Sequence, residues 1–228
     1  MKPRIIVFAK DPQPGKVKTR LARAIGAAPA AHLYRAMVID LANGLMRLAA
    51  LTAIEIHLDT HSSFFDCFPV PKRLQQGVDL GEKLFHAMRE ALEEGSAAVL
   101  VLGSDSPALP LSAVEGLLAA PSDLAFGPAL DGGFWGICAR RVHPAMFDGV
   151  RWSSSNTLRD CLAAAAACGL SVSRGEECAD LDEIEDLGKL RPEELGPRMR
   201  EVMRENEAEI AAALDAAMGQ GDGLRPHG

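Results

Sequence analysis

The chain has 228 residues, a formal net charge of −7 and 48% hydrophobic residues, as expected for a globular protein with one well-cored domain. The negative charge argues against nucleic acid as a partner, because binding to its phosphate backbone needs a basic face. Five cysteines without a Cys-x-x-Cys pair indicate neither a disulfide framework nor a zinc knuckle, so we expect reduced thiols and a cytoplasmic protein. The apolar stretches are too short for a signal peptide or a membrane span, and we expect neither.

Predicted strands and helices alternate along most of the chain. Short apolar runs predict strands, and apolar residues at helical spacing predict helices. The strands are predicted at residues 5–9, 53–58, 72–76, 97–102, 123–126, 134–139 and 170–173. The helices are predicted at residues 19–25, 29–51, 82–94, 111–119 and 155–168. This alternation indicates an α/β fold whose mostly parallel central sheet carries helices on both faces.

The chain beyond Asp182 is charged and helical in pattern. Helices are predicted at residues 184–190 and 199–218, with Pro192 and Pro197 between them. We therefore predict a main domain at residues 1–190, a helical appendage at 191–218 and a disordered tail at 219–228. The C-terminal helices are compatible with packing either on the core or on a second subunit of a homo-oligomer.

The loop at residues 10–16 follows the first strand, at the edge of the sheet where open α/β folds bind ligands. Lys10, Lys16, Lys18 and Arg20 place four cations within eleven residues, which suits the phosphates of a nucleotide. A solvated rim of charges is the alternative. The loop is neither a Walker A motif nor a dinucleotide fingerprint, because Val17 follows Lys16 and the further glycines are missing.

Asp105 follows the buried strand at 97–102 and lies on the same rim as the cationic loop. A carboxylate that faces a phosphate-binding loop predicts a bridging Mg²⁺ or Mn²⁺, since these ions prefer oxygen ligands. Alternatively, Asp105 caps the turn or the following helix, although Ser104 and Ser106 could cap as well.

Two further carboxylates, Asp180 and Asp182, lie between the last strand and the next helix. We expect one of them, preferably Asp182, to cap that helix and leave the other free. Asp131 lies in a glycine-rich loop that either approaches a ligand or only joins two strands. Trp152 and residues 153–157 form either a sugar or acceptor pocket or an N-cap cluster.

These blocks of residues resemble a bacterial family of GT-A-like nucleotide-diphospho-sugar transferases, often labelled arsenosugar-biosynthesis-associated glycosyltransferases. The resemblance covers about residues 4–190 and rests on Phe8, Ala9, Lys10, Pro12, Pro14, Gly15, Lys18, Thr19, Arg20 and Leu21, on Gly103, Ser104, Asp105, Ser106 and Pro107, on Gly127, Pro128, Asp131, Gly132 and Gly133, on Trp152 and Ser153, and on Asp180, Asp182, Asp186 and Leu187. The first block is also similar to guanylyltransferases that activate phospholactate, and the two classes share one fold.

The resemblance implies a GT-A fold with a three-layer nucleotide-binding and transferase domain at residues 1–190. The implied nucleotide-binding residues are Lys10, Gly15, Lys16, Lys18, Thr19, Arg20 and Gln76, and the implied acceptor-binding residues are Gly132, Gly133, Trp152 and Ser153. Asp105 and Asp131 are the implied catalytic residues: Asp105 would bind the divalent metal, Mg²⁺ or Mn²⁺, and Asp131 would contact the acceptor or the reaction centre. Because the metal segment reads Ser104-Asp105-Ser106 and not Asp-x-Asp, a second ligand is expected from Asp180 or Asp182.

We therefore expect a metal-dependent glycosyltransferase with a nucleotide-sugar donor and a small-molecule acceptor. A nucleotidyltransferase that releases pyrophosphate from a triphosphate, in a reaction with a phosphorylated small molecule, is the first alternative. A nucleotide-binding module without turnover is the second.

Overall fold

The computed structural model describes residues 1–221 of the chain. The strands are β1 (Arg4–Ala9), β2 (Ala53–Leu58), β3 (Lys72–Leu74), β4 (Val99–Leu102), β5 (Leu124–Pro128), β6 (Phe134–Ala139) and β7 (Val172–Arg174). The helices are α1 (Thr19–Ile25), α2 (Ala27–Met46), α3 (Leu80–Glu93), α4 (Leu111–Ala119), α5 (Thr157–Ala167), α6 (Ile184–Lys189), α7 (Pro197–Glu205) and α8 (Glu207–Gly221). Short 3₁₀ helices lie at Ser63–Cys67 and Pro192–Glu194.

The strands form one sheet in the order β3-β2-β1-β4-β6-β5-β7. All neighbouring strands pair in parallel except that β6 runs antiparallel to both β4 and β5. The predicted α/β fold with a mostly parallel sheet is therefore confirmed. The carboxyl ends of β1 and β4 lie side by side, and the antiparallel β6 begins at this same edge, so that the loop joining β5 to β6 reaches it too.

The core has a layer on each face of the sheet, because the central strands are apolar on both sides. On one face, Ile5 and Leu100 belong to a buried cluster with residues of α2 and α4. On the other face, Ile6 and Val101 cluster with residues of α3 and α5. Helices therefore cover both faces, as the alternating pattern predicts.

The C-terminal helices pack on the core of their own chain. Asp40 of α2 accepts hydrogen bonds from the backbone N–H groups of Arg198 and Met199, at 3.1 and 2.8 Å. Gly196 makes this approach feasible, since a Cβ there would lie 2.2 Å from the Asp40 Cγ. The sequence left open whether these helices pack on the core or on a second subunit, and the structure shows packing on the core. The domain boundary at residue 190 stays a prediction.

The structure departs from the predicted C-terminal region at two points. The helix expected at 199–218 is broken at Asn206, which has φ −115° and whose side chain donates to the Val202 carbonyl. Asparagine competes with helical backbone hydrogen bonding in this way, so a helix readily ends there. Residues 219–221 continue α8, while the remainder of the predicted tail, 222–228, lies outside the described residues.

No helix within residues 1–221 is both long and apolar enough to cross a bilayer.

We expect Asp40→Ala to lower the free energy of unfolding by about 1–2 kcal/mol, because the first backbone N–H groups of α7 lose their acceptor. Urea unfolding followed by circular dichroism measures this. Glu115→Ala, which removes an exposed carboxylate from α4, is the matched control and should change little. Equal stability of the two variants would show that the Asp40 contacts do not hold the C-terminal helices.

Candidate functional site

A cavity of about 970 Å³ opens at the carboxyl ends of β1 and β4, a size typical of small-molecule sites. Segments that are distant in sequence line it: the loop between β1 and α1, the segment after β4, the loop between β5 and β6, and residues 152–155. The predicted site residues that line it are Lys10, Lys16, Lys18, Thr19, Arg20, Asp105, Asp131, Gly133, Trp152, Ser153, Asp180 and Asp182. The structure thus brings the predicted donor, metal and acceptor residues to one place.

Three predicted site residues, Gly15, Gln76 and Gly132, do not line the cavity. Gln75 lines it in place of Gln76, and its side-chain amide donates to the His57 carbonyl at 3.0 Å. The predicted strand at 72–76 ends at Leu74 in the structure. Because successive residues of an extended chain point to opposite sides, a shift of one residue exchanges the side chain that faces a ligand.

Lys18 is the most buried charged group of the site. Its side chain is 2% exposed, and its Nζ lies 2.5 Å from Oδ1 of Asp105 and 3.2 Å from Oδ1 of Asp182. Burial alone would lower the pKa of Lys18, but the two carboxylates together raise it, so the ammonium form is held. Lys18 was expected to contact phosphate, yet the structure pairs it with two of the predicted metal ligands.

The backbone is strained at two points of the cavity wall. Lys18 and Ser153 have φ values of 47° and 54°, and they are the non-glycine residues with positive φ in the described part of the chain. A left-handed conformation costs roughly 1–3 kcal/mol at such a residue and is concentrated at functional sites. At Lys18 this conformation begins α1, whose Ala22 N–H bonds to the Lys18 carbonyl at 2.8 Å.

The expectation that Asp180 or Asp182 caps the following helix is wrong. Glu183 occupies the N-cap of α6 and forms a capping box with Asp186. The carboxylate of Asp186 also accepts from the Asp182 N–H, at 3.0 Å. A longer acidic side chain one residue further on therefore meets the demand for a cap, and both Asp180 and Asp182 are left to line the cavity.

Asp105 does not cap a helix either, because Pro110 occupies the N-cap position of α4. The neighbouring serines are engaged in tertiary hydrogen bonds. Ser104 shares one of 2.8 Å with the hydroxyl of Tyr34, and Ser106 donates to Asp180. None of the three residues therefore caps α4, and Asp105 lines the cavity with its side chain 54% exposed.

The environment of Asp180 in the cavity shifts the pKa of its carboxyl group. The pKa of Asp180 is raised to about 6, because burial and the nearby charges of Asp105 and Asp131 together outweigh the hydrogen bond from Ser106 that lowers it. Carboxylates that share a cavity repel one another, so this cluster favours a bound cation.

The carboxylates suit a divalent metal that a ligand helps to hold. Asp105 and Asp182 both place an oxygen near the Lys18 Nζ, so they lie close enough to share one cation. Within residues 1–221, no three His, Cys, Asp or Glu side chains form a complete metal site. Magnesium commonly takes only one or two carboxylates and completes its shell with phosphates and water. The residues therefore fit a metal that binds together with a phosphorylated ligand.

The glycine-rich loop and residues 152–155 form one continuous wall. Asp131 accepts the Gly133 N–H at 2.8 Å, and a Cβ on Gly132 would lie 2.2 Å from the Ser155 carbonyl oxygen. Trp152 makes an edge contact with Phe134, at 6.5 Å between ring centroids. The loop is thus both a connection in a hairpin and a part of the cavity, which combines the two readings of the sequence.

Comparison with family models assigns residues 59–154 to a family described as an uncharacterized protein conserved in bacteria, DUF2064. A search of curated proteins finds no match.

Solved structures extend the comparison over nearly the whole chain. A proposed nucleotide-diphospho-sugar transferase of Desulfovibrio desulfuricans G20 is 33% identical, with a TM-score of 0.81 and coverage of 93% of this chain and 99% of that one. The inositol-1-phosphate CTP transferase of T. maritima is 12% identical, with a TM-score of 0.51 and coverage of 91% and 97%. Glucosyl-3-phosphoglycerate synthase of Mycobacterium tuberculosis, solved with Mn²⁺ and UDP, is 10% identical, with a TM-score of 0.50 and coverage of 93% and 79%. The last two likenesses concern the fold alone.

We expect Asp180→Asn to stabilise the metal-free protein by about 2 kcal/mol at pH 7.5. The pKa of Asp180, about 6, lies above the ordinary value of 3.8, so the folded state prefers the protonated acid. The stabilisation that protonated Asp180 gives to the folded state is complete below pH 4. It is lost as the pH rises to about 6 and is absent above that pH. The gain from Asn should therefore shrink as the pH falls from 6 to 4.

Urea unfolding at pH 7.5 and pH 4.5, with EDTA present, measures this difference. Asp148→Asn, at an exposed position outside the cavity, provides the control. A loss of stability in Asp180→Asn at pH 7.5 would contradict the assigned environment of this carboxyl group.

Proposed function

Because the chain belongs to the GT-A-like nucleotide-diphospho-sugar transferase family, we propose that it transfers a sugar from a nucleotide-diphospho-sugar donor to a small-molecule acceptor, with Mg²⁺ or Mn²⁺ as cofactor. One observation carries the proposal: a cationic loop, a group of carboxylates and an aromatic, hydroxyl-rich segment line a single cavity. These parts correspond to a diphosphate, a divalent cation and a sugar or acceptor.

The cationic loop supplies the partners for the diphosphate of the donor. In the described part of the chain, no carboxylate pairs with the side chains of Lys10 and Lys16. Arg20 lies 3.6 Å from Glu183, but its side chain is 60% exposed, so water screens that pair and leaves the guanidinium available. Three cations can thus make charge-assisted hydrogen bonds to phosphate oxygens.

The metal would be held by Asp105 and Asp182, with Asp180 beside them. When bound, it would offset the negative charge that develops on the departing nucleoside diphosphate. The cations of the loop line the same cavity and would act on the same charge. The loop that carries them lies at the edge of the cavity, where charge-assisted contacts with the phosphates stabilise the departing group.

The wall formed by the glycine-rich loop and residues 152–155 favours an acceptor that carries hydroxyl groups. Trp152 and Phe134 offer aromatic faces, and Ser153 and Ser155 add hydroxyls without net charge. Asp131 lies at the edge of this wall, and its Oδ1 accepts the Gly133 N–H. A carboxylate in that position is suited to take the proton from an attacking hydroxyl group, so we assign the role of general base to Asp131.

A nucleotidyltransferase is the second candidate. Lys83 also lines the cavity and would give a phosphorylated acceptor a cationic partner. In that reaction the acceptor phosphate attacks the α-phosphate of a triphosphate, and pyrophosphate leaves in place of a nucleoside diphosphate. A module that binds nucleotides without turnover would release neither.

We expect one nucleotide sugar to stabilise the protein in the presence of Mn²⁺ and not in its absence. At a ligand concentration about 100 times the dissociation constant, binding adds about 2.7 kcal/mol to stability. A thermal-shift panel of nucleoside diphosphates, triphosphates and nucleotide sugars measures this. Asp105→Asn should lose the metal-dependent part, while Asp148→Asn should retain it.

Stabilisation by a triphosphate alone would favour the nucleotidyltransferase. The absence of a shift with every member of the panel would refute nucleotide binding, and with it the proposed function.

We expect binding of that nucleotide sugar to change the fluorescence of Trp152, because this indole is the partly exposed tryptophan of the acceptor wall. The second tryptophan, Trp135, also lines the cavity, but it is 2% exposed and its Nε1–H donates to the Glu176 carbonyl, so we expect its fluorescence to respond less. The matching nucleoside diphosphate, which lacks the sugar, should have a smaller effect. In Trp152→Phe the sugar-dependent change should disappear, and its persistence would place the sugar elsewhere.

A further inference from the structure

Lys18 differs from the other cations of the site because its side chain is buried. Its side chain is 2% exposed, whereas the side chains of its partners Asp105 and Asp182 are 54% and 47% exposed. The ammonium group therefore lies beneath two carboxylates that are open to the cavity. Lys16 and Arg20, on either side of it in sequence, are exposed at the rim.

The ammonium group occupies the position between the carboxylates where a shared cation is most stable. One Nζ atom lies within 3.2 Å of both carboxylate oxygens. A divalent metal that approaches the same oxygens is repelled by this positive charge at short distance. If the carboxylates turned away from Lys18 toward the metal, a buried ammonium would lose its partners, which costs substantial free energy.

A phosphorylated ligand removes this obstacle. Lys18 lies in the segment whose exposed cations are suited to a diphosphate, so a phosphate oxygen bound there is an alternative anionic partner for its ammonium. The change of partner is a movement of the side-chain end, because the Ala22 N–H holds the Lys18 carbonyl at the start of α1. The metal and the diphosphate thus each lower the cost of binding the other.

The geometry points to Lys18 as the group that keeps the metal site closed in the free protein, so that the divalent cation enters only with a donor diphosphate. This inference rests on the proposed function, since it takes Asp105 and Asp182 as the metal ligands. It assigns to Lys18 a role that a rim lysine cannot have, because exposed cations are screened by solvent.

Mn²⁺ binding without nucleotide tests the inference. The electron paramagnetic resonance signal of free Mn²⁺ reports how much of the ion is bound. We expect Lys18→Met to bind Mn²⁺ about tenfold or more tightly than the wild type, because a full positive charge leaves the immediate vicinity of both ligands. The gain should vanish in the double variant Lys18→Met/Asp105→Asn.

Lys16→Met is the matched control, since it removes a lysine charge from the exposed rim of the same loop. Its Mn²⁺ affinity should stay within about twofold of the wild type, because solvent screens that charge. Lys18→Gln, which keeps a polar end group, guards against a folding defect in the methionine variant. Circular dichroism in EDTA checks that each variant is folded.

The outcomes separate the inference from the proposed function. Equal Mn²⁺ affinity of the wild type and both Lys18 variants would overturn the inference, and metal-dependent binding of a nucleotide sugar by the wild type would still support the function. Conversely, tighter Mn²⁺ binding by the Lys18 variants would support the closed site even if no nucleotide bound to the wild type, a result that would refute the function alone.

Discussion

The ion pairs of Lys18 with Asp105 and Asp182 are the interaction on which the site depends. They join the start of α1 to the segment after β4 and to the segment before α6, which is 164 residues away in sequence. Hydrogen bonds around them tie the same segments: the Leu181 N–H donates to the Asp105 carbonyl at 3.0 Å, and Ser106 donates to Asp180. The carboxylates are therefore held in place before any ligand arrives.

The strand order explains why these groups meet. β1 and β4 are neighbours at the centre of the sheet, so the cationic loop and Asp105 leave adjacent strands at the same edge. The reversal of β6 then brings the loop with Asp131 to that edge as well. Ala129 pairs with Cys178 in an isolated bridge, which guides the following chain toward Asp180. Charge of both signs thus converges on one cavity, although the chain as a whole is acidic.

The sequence was sufficient to predict the fold, since apolar runs and helical spacing are local signals. It also predicted the rim residues, because polar groups that follow parallel strands share one edge of the sheet. It could not predict that Lys18 is buried, since this depends on pairing with residues far along the chain. The cap at Glu183 was missed because several neighbouring acidic residues could each cap α6. Gln76 was predicted in place of Gln75 because the sequence does not fix the end of β3 to within one residue.

We propose that Asp105 and Asp182 hold a divalent metal together with a nucleoside diphosphate. Anomalous diffraction from crystals grown with Mn²⁺ and UDP, or with the nucleoside diphosphate that gives the largest thermal shift, tests it most directly. We expect a manganese peak in contact with both carboxylates and a diphosphate beside Lys16 and Arg20. A bound diphosphate with no manganese at Asp105, or a nucleotide outside the cavity, would contradict it.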